Sequence, residues 1–215
     1  MASKHSLRYP LTLFSLVFIF WSFYRYFPEF LPLWFEELIL KPAFWLLPAF
    51  WVVLNLEKQS LFSLGFSCQN LSKAVFWGFG LGLIFFIEGF LVNILKYRGW
   101  QINYPSLDSF LIVLLLSLVT AFSEETLFRG YFFTRFFRFW RRELPANLVS
   151  SLLFTLIHLP MGVFVLSCAP LALLTYLFLL FLFAFSSAFV FARTRNLLSS
   201  ILLHFFWSWP IVLFK

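Results

Sequence analysis

Apolar residues fall into seven long blocks, roughly 9–27, 36–55, 71–95, 106–134, 145–159, 169–192 and 196–214, separated by short polar or proline-containing breaks. About 20 apolar residues in α-helical form cross the hydrocarbon of a bilayer. A helix also satisfies its own backbone there, which an open strand cannot do. The pattern therefore predicts an all-α fold, a polytopic transmembrane bundle of about seven helices. Pro28 and Pro32 separate the first two blocks, and "RGWQINYPS" separates the third from the fourth. Pro145 opens the fifth, where its missing N–H does no harm, and Pro160 closes it. The uncharged "MGVFVLSCAP" that follows reads as re-entrant or interfacial, and "EKQSLFSLGFS" between the second and third blocks as a short interfacial segment. No internal repeat or low-complexity linker divides the chain. It is expected to be one integral membrane domain over 1–215, with two N-terminal helices and the interfacial segment within 1–69.

Composition strengthens this reading. The chain is 62% hydrophobic and 12% charged, whereas soluble domains are roughly half apolar and about a quarter charged. A water-soluble fold of this length would have no polar coat. The net charge of +7 does not point to nucleic acid, because the basic residues stand singly or in pairs beside the apolar blocks, as membrane-helix flanks do. "RFFRFWRR" (Arg135 to Arg142) is the one cluster, and it reads as a cytoplasmic flank lying on anionic headgroups. Cys68 and Cys168 sit in unrelated segments and suggest neither a disulfide framework nor a thiolate metal site. Lys4 and Arg8 before the first block resemble the start of a secretion signal. "WSFYRYF" follows in place of a small-residue cleavage site, so this segment is read as a retained helix.

Seven alternating crossings put Lys4, Arg8, Lys58, Lys73, Arg135, Arg138, Arg141, Arg142, Arg193 and Arg195 on one side. Arg25, Lys41, Lys96, Arg98 and Lys215 fall on the other. The excess of positive charge places the amino terminus and the arginine cluster in the cytoplasm of a multi-pass cell-membrane protein.

Against this apolar background, ionisable groups inside the blocks demand a reason, since they face a bundle interior or a wet cavity. They are Glu88, the set Glu124, Glu125 and Arg129, and the histidines His158 and His204; His5 is the remaining histidine. At 1.5 Å per residue, Glu124 lies about 16 Å from Arg135, His158 about 20 Å from Pro145, and His204 about 12 Å from Asn196. Three helices thus carry titratable side chains to a similar depth, which predicts a polar cavity within the membrane. Glu125 and Arg129 are spaced i, i+4 with the acid first, the favourable order for a helical ion pair. Glu124 points about 100° away with no partner in its own helix, free for general-base work. The two imidazoles would supply proton donors or acceptors. Water, a base and donors inside a membrane suggest hydrolysis of a membrane-embedded bond. Each element also has a structural reading: Glu125 with Arg129 as a helix–helix clamp, either histidine as an interhelical hydrogen bond. Glu88, in "IFFIEGFL", is read as structural.

Three local patterns bring in a resemblance. "EETLFR" (Glu124 to Arg129) resembles the EExxxR motif of the CPBP intramembrane proteases, which include type II CAAX prenyl endopeptidases and bacteriocin-processing or self-immunity homologues. "FTLIH" (Phe154 to His158) resembles that family's FxxxH motif, and "HFFWS" (His204 to Ser208) its HxxxN or HxxxD motif except at the last residue. The likeness covers about residues 70–214, which would form the catalytic core. It implies a conical cavity open to membrane and cytoplasm, and peptide-bond hydrolysis by glutamate-activated water. Glu124 would be the base, with Glu125 beside it and Arg129 holding the pair. His158 would orient the water and His204 would stabilise the oxyanion. Ser208 replaces an Asn or Asp donor with a shorter arm on the face of His204. Losing one oxyanion donor typically costs about 10²–10³ in rate.

The expected partners are the bilayer and a membrane-anchored or lipidated protein or peptide substrate, with no cofactor. Zinc is the alternative cofactor, because two His and a Glu form a catalytic zinc set; the HExxH helix of many such enzymes is absent, however. Two further readings stand beside the protease. One is a catalytically weakened scaffold or immunity protein of the same fold, suggested by Ser208. The other is a proton-coupled transporter, against which stands the lack of repeated halves with broken helices.

Overall fold

The computed structural model of the protein describes residues 6–27, 31–97 and 106–213. Among these residues there is no strand. Seven long helices follow one another: α1 (Arg8–Tyr26), α2 (Leu33–Leu56), α3 (Leu71–Tyr97), α4 (Leu107–Trp140), α5 (Glu143–Val165), α6 (Pro170–Thr194) and α7 (Leu197–Leu213). Each carries one predicted apolar block. Helices α2 to α6 are long and apolar enough to cross a membrane. Large side chains such as Phe76, Leu171 and Leu174 are exposed on their outer faces, as a hydrocarbon solvent permits. The protein is an all-α, multi-pass membrane protein. Pro28, the stretch 98–105, Lys4, His5 and Lys215 lie outside the described residues.

Helix α4 is the centre of the bundle, packing against α2, α5, α6 and α7. Its middle turns, Thr126–Phe133, are wound as π-helix, and all eight residues there are buried. Such widened turns recur at functional positions in helices. Here the widening begins directly after Glu124 and Glu125. A file of aromatic rings runs through the core next to these turns. Trp45 packs edge-on to Phe128 at 5.9 Å, Phe128 to Phe154 at 5.0 Å, and Phe154 tilts against Phe183 at 5.6 Å. Edge-to-face contacts of this kind suit the ring quadrupole. The phenylalanine-rich composition thus builds the rigid frame of the central polar groups.

Helix α2 is also wound irregularly. Glu36–Leu40 and Val52–Leu56 are π-helical, and Pro42 and Pro48 lie between them. Proline cannot donate to the preceding turn, and the π turn Glu36–Leu40 ends directly before Lys41 and Pro42. Helix α3 lies along α7. The approach is close at Gly78, where an added Cβ would stand 2.5 Å from the Ser199 carbonyl oxygen.

Several expectations need correction. Pro160 does not close the fifth helix: after a break at His158 the chain continues as a π turn, Met161–Val165, so "MGVFV" extends α5. Phe164 packs edge-on to Tyr26 of α1 at 5.4 Å, which gives this turn a protein partner. Helix α4 runs past residue 134 to Trp140 and ends in a left-handed Arg141. Three residues read as flanking charges are buried. Arg25 donates from Nη1 to Glu36 Oε2 at 3.0 Å, Arg135 binds Glu57 Oε2 through Nη2 at 2.6 Å, and Lys41 reaches the interior. Each has an acid from another part of the chain or from the turn beside it, and this pairing is what makes burial tolerable.

The 57–70 segment is drawn into the bundle edge. Leu64 is fully buried, Leu197 N donates to the Gly65 carbonyl at 3.0 Å, and Asn196 Nδ2 donates to the carbonyls of Ser67 and Gln69 at 2.7 and 2.8 Å. These bonds fix the start of α7 against the segment, and with it the register at which His204 faces inward.

Candidate active site

Two adjacent acids on α4 face different partners. Glu125 accepts from Arg129 Nε at 3.1 Å, from Ser187 Oγ of α6 at 2.7 Å, and lies 2.8 Å from His204 Nδ1 of α7. Arg129 also donates through Nη2 to the Ala184 carbonyl at 3.0 Å and stacks over Phe154 at 4.6 Å. Both Glu125 and Arg129 are completely enclosed. Three helices are therefore tied together at one buried carboxylate.

Glu124 turns toward the other side. Its Oε2 lies 3.8 Å from His158 Nε2 and 3.8 Å from His204 Nε2. Its Oε1 accepts from Lys41 Nζ of α2 at 3.1 Å. Lys41 in turn holds Glu37, one turn earlier, at 2.9 and 2.6 Å, and Glu37 accepts a short bond from Thr120 Oγ1 of α4.

The partners of the two rings set their tautomers. His158 Nδ1 lies 2.8 Å from the Phe154 carbonyl, and His204 Nδ1 faces the Glu125 carboxylate. Both partners only accept, so each Nδ1 carries a proton and each Nε2, in a neutral ring, presents a lone pair toward Glu124. His158 breaks the regular helix of α5, and its side chain retains 19% exposure, against 4% for Glu124 and His204. The site is open only on the His158 side of this trio. His204 is braced by Phe183 at 4.7 Å and Trp207 at 5.9 Å.

Five of the residues singled out from the sequence, Glu124, Glu125, Arg129, His158 and His204, come together in this way. The sixth does not: Ser208 donates its hydroxyl to the Phe205 carbonyl at 2.9 Å, a bond within α7. Glu88 stands exposed on α3. Sequence reasoning missed Lys41, Glu37 and Thr120. The available signal was the i, i+4 spacing of Glu37 and Lys41, which on its own is equally an interfacial pair.

Among the described residues no three His, Cys, Asp or Glu side chains are grouped so as to hold a metal. One oxygen of Glu124 is also already engaged by an ammonium group.

A comparison with curated proteins finds no match. The family comparison does: residues 106–210, which contain α4 to α6, most of α7 and all six residues named above, match the model described as type II CAAX prenyl endopeptidase Rce1-like. Over these helices, with their paired acids and facing imidazoles, the chain is similar to the Rce1-like type II CAAX prenyl endopeptidases.

Proposed function

We propose that the protein is a glutamate-type intramembrane endopeptidase that hydrolyses a peptide bond in a membrane-anchored or lipidated, CAAX-like substrate. The observation that carries this reading is the spacing of Glu124 Oε2 from both imidazole Nε2 atoms, 3.8 Å in each case. That is too long for a direct hydrogen bond and suits a bridging water. A water between Glu124 and His158 has one proton for the carboxylate and one for the ring lone pair, so both hold it with an oxygen lone pair free to attack.

Glu124 takes one water proton as the new C–O bond forms at the substrate carbonyl. The carbonyl π electrons move onto oxygen. Collapse of this intermediate breaks the C–N bond, and the proton held by Glu124 passes to the leaving amine. His204 stabilises the oxyanion from Nε2 when its ring carries both protons, with the Glu125 carboxylate balancing that charge from behind. Arg129 holds Glu125 in turn. This chemistry uses no metal: the ammonium on Glu124 supports that reading, and unchanged turnover in the presence of a strong zinc chelator is its expected signature.

A lipidated substrate has support of its own. An apolar cavity of about 460 Å³ between α1 and α2 is lined by Phe20, Trp21, Tyr24, Leu40 and Phe44 among others. Trp21 also borders Lys41, at 6.0 Å from Nζ to the ring centre. An apolar chain there would end beside the polar centre.

The deciding experiment is Glu124→Gln in purified protein reconstituted into liposomes, assayed on a library of membrane-anchored peptides that includes prenylated CAAX-type sequences. A general base contributes about 10²–10⁴ in rate, and a loss of that order is expected. Equal cleavage by the variant would sink the assignment. Taking 1–215 as one domain, with an inward amino terminus, belongs to the same proposal.

A further inference from the structure

Lys41 comes from α2, outside the stretch that matches the family, and yet it stands at the centre of the site with 5% of its surface exposed. A lysine ammonium has three protons and no acceptor. In this structure it has three contacts: the two oxygens of Glu37 at 2.9 and 2.6 Å and Glu124 Oε1 at 3.1 Å. Its charge lies near two indole rings, 5.6 Å from Trp45 and 6.0 Å from Trp21. Glu37 is anchored to Thr120, which precedes Glu124 by about one turn of α4. Two turns of α2 are therefore bonded to two turns of α4, with Glu124 at one end of the ring.

A helix clamp alone would account for Lys41 with Glu37. It would not account for how Glu124 is divided. Lys41 occupies Oε1, while both imidazoles face Oε2. The terminal torsion of a glutamate is soft and roughly two-fold, so without an outside partner either oxygen, or neither, would point at the rings.

We infer that Lys41, held by Glu37 and Thr120, is a positioning residue that fixes the Glu124 carboxylate with one oxygen directed at His158 and His204. The inference rests on the assignment of Glu124 as the base. Its test is built so that the two fail differently.

The full chain in liposomes is assayed on an internally quenched, prenylated CAAX-type peptide, with kcat and KM separated and thermal unfolding followed in parallel. Lys41→Met is expected to lower kcat about 10²-fold, the cost of misplacing a reacting group by about an ångström. KM should change little, because the interaction is not made to the substrate. Lys41→Arg keeps the charge and is expected to recover much of the rate. In a Glu124→Gln background, Lys41→Met should cause no further loss, since two residues acting as a unit are not additive. Full kcat in Lys41→Met overturns the inference, as does an equal loss in both backgrounds, or a change confined to KM. Should Lys41→Met not fold, Glu37→Gln retains the ammonium and loosens its anchor. It should lower kcat at a near-native melting temperature, and unchanged kcat there overturns the inference too. Normal turnover by Glu124→Gln, or no turnover by the unaltered protein, removes the base assignment itself and the inference with it.

Discussion

Glu125 Oε1 and His204 Nδ1 lie 2.8 Å apart, joining residues 79 positions apart in the chain. The bond does two things at once. It gives the enclosed Glu125 a partner besides Arg129, and it directs the other nitrogen of His204 toward Glu124. Adjacent acids therefore have different surroundings, Glu125 turned to the frame and Glu124 to Lys41 and the two imidazoles. This division suggests how their variants should differ.

Glu125→Ala is expected to damage the fold. It leaves Arg129 buried without its carboxylate, with one guanidinium nitrogen, Nη1, already lacking a hydrogen-bond partner. Breaking a buried pair by removing one partner costs about 3–5 kcal/mol. Thermal or denaturant unfolding in detergent should show a clear drop, while Glu124→Gln, which keeps the shape of its side chain, should melt much closer to the unaltered protein. Matching melts for Glu125→Ala and the unaltered chain would refute the structural role.

The imidazoles should separate by the size of their kinetic effects. His204→Ala removes the proposed oxyanion donor and is expected to lower kcat about 10²–10³-fold. His158→Ala, at the more open side of the site, should leave stability nearly unaltered and still reduce kcat by disordering the water. A loss of stability in His158→Ala with kcat per folded molecule preserved would make this ring structural.

Position 208 offers a test in two directions. The Ser208 hydroxyl is spent on the Phe205 carbonyl of its own helix, so Ser208→Ala should leave kcat close to that of the unaltered protein. Ser208→Asn adds an amide with a longer arm and should raise kcat, by up to about 10²-fold where a full oxyanion donor is gained. A strong loss in Ser208→Ala would show that the serine already works in the reaction. Inactivity of both the serine and asparagine forms would favour the scaffold reading.

Gly130 carries a purely steric prediction. A Cβ at this buried position of α4 would stand 2.8 Å from the Leu64 carbonyl oxygen, a backbone atom of the segment between α2 and α3. Gly130→Ala must push that segment away and should cost about 1–3 kcal/mol, the usual range for overpacking. A melting temperature at or above that of the unaltered protein would show that the segment yields freely.

How far the sequence reaches can be judged residue by residue. Block length was enough for seven helices, because crossing hydrocarbon is a local requirement of about 20 residues, whereas prolines misled at the ends: α5 already starts at Glu143, before Pro145, and continues past Pro160. Glu125 and Arg129 could be paired in advance, because i, i+4 neighbours meet on any helix. The matching depths of Glu124, His158 and His204 followed from helical rise alone. Lys41 could not be found that way: a lysine beside a proline within an apolar block is equally an interfacial anchor, and only the packing of α2 on α4 turns it inward. The same holds for Arg25 and Arg135, whose acids Glu36 and Glu57 lie in other elements. Ser208 shares a helical face with His204, yet whether its hydroxyl enters the site or returns to Phe205 is a matter of one rotamer. By itself the sequence determined the spans, the chemistry available and its depth, since these depend on spacing within each helix. Which oxygen of Glu124 meets the rings, and which cation meets the other oxygen, was decided by contacts between distant helices, where no local period reaches.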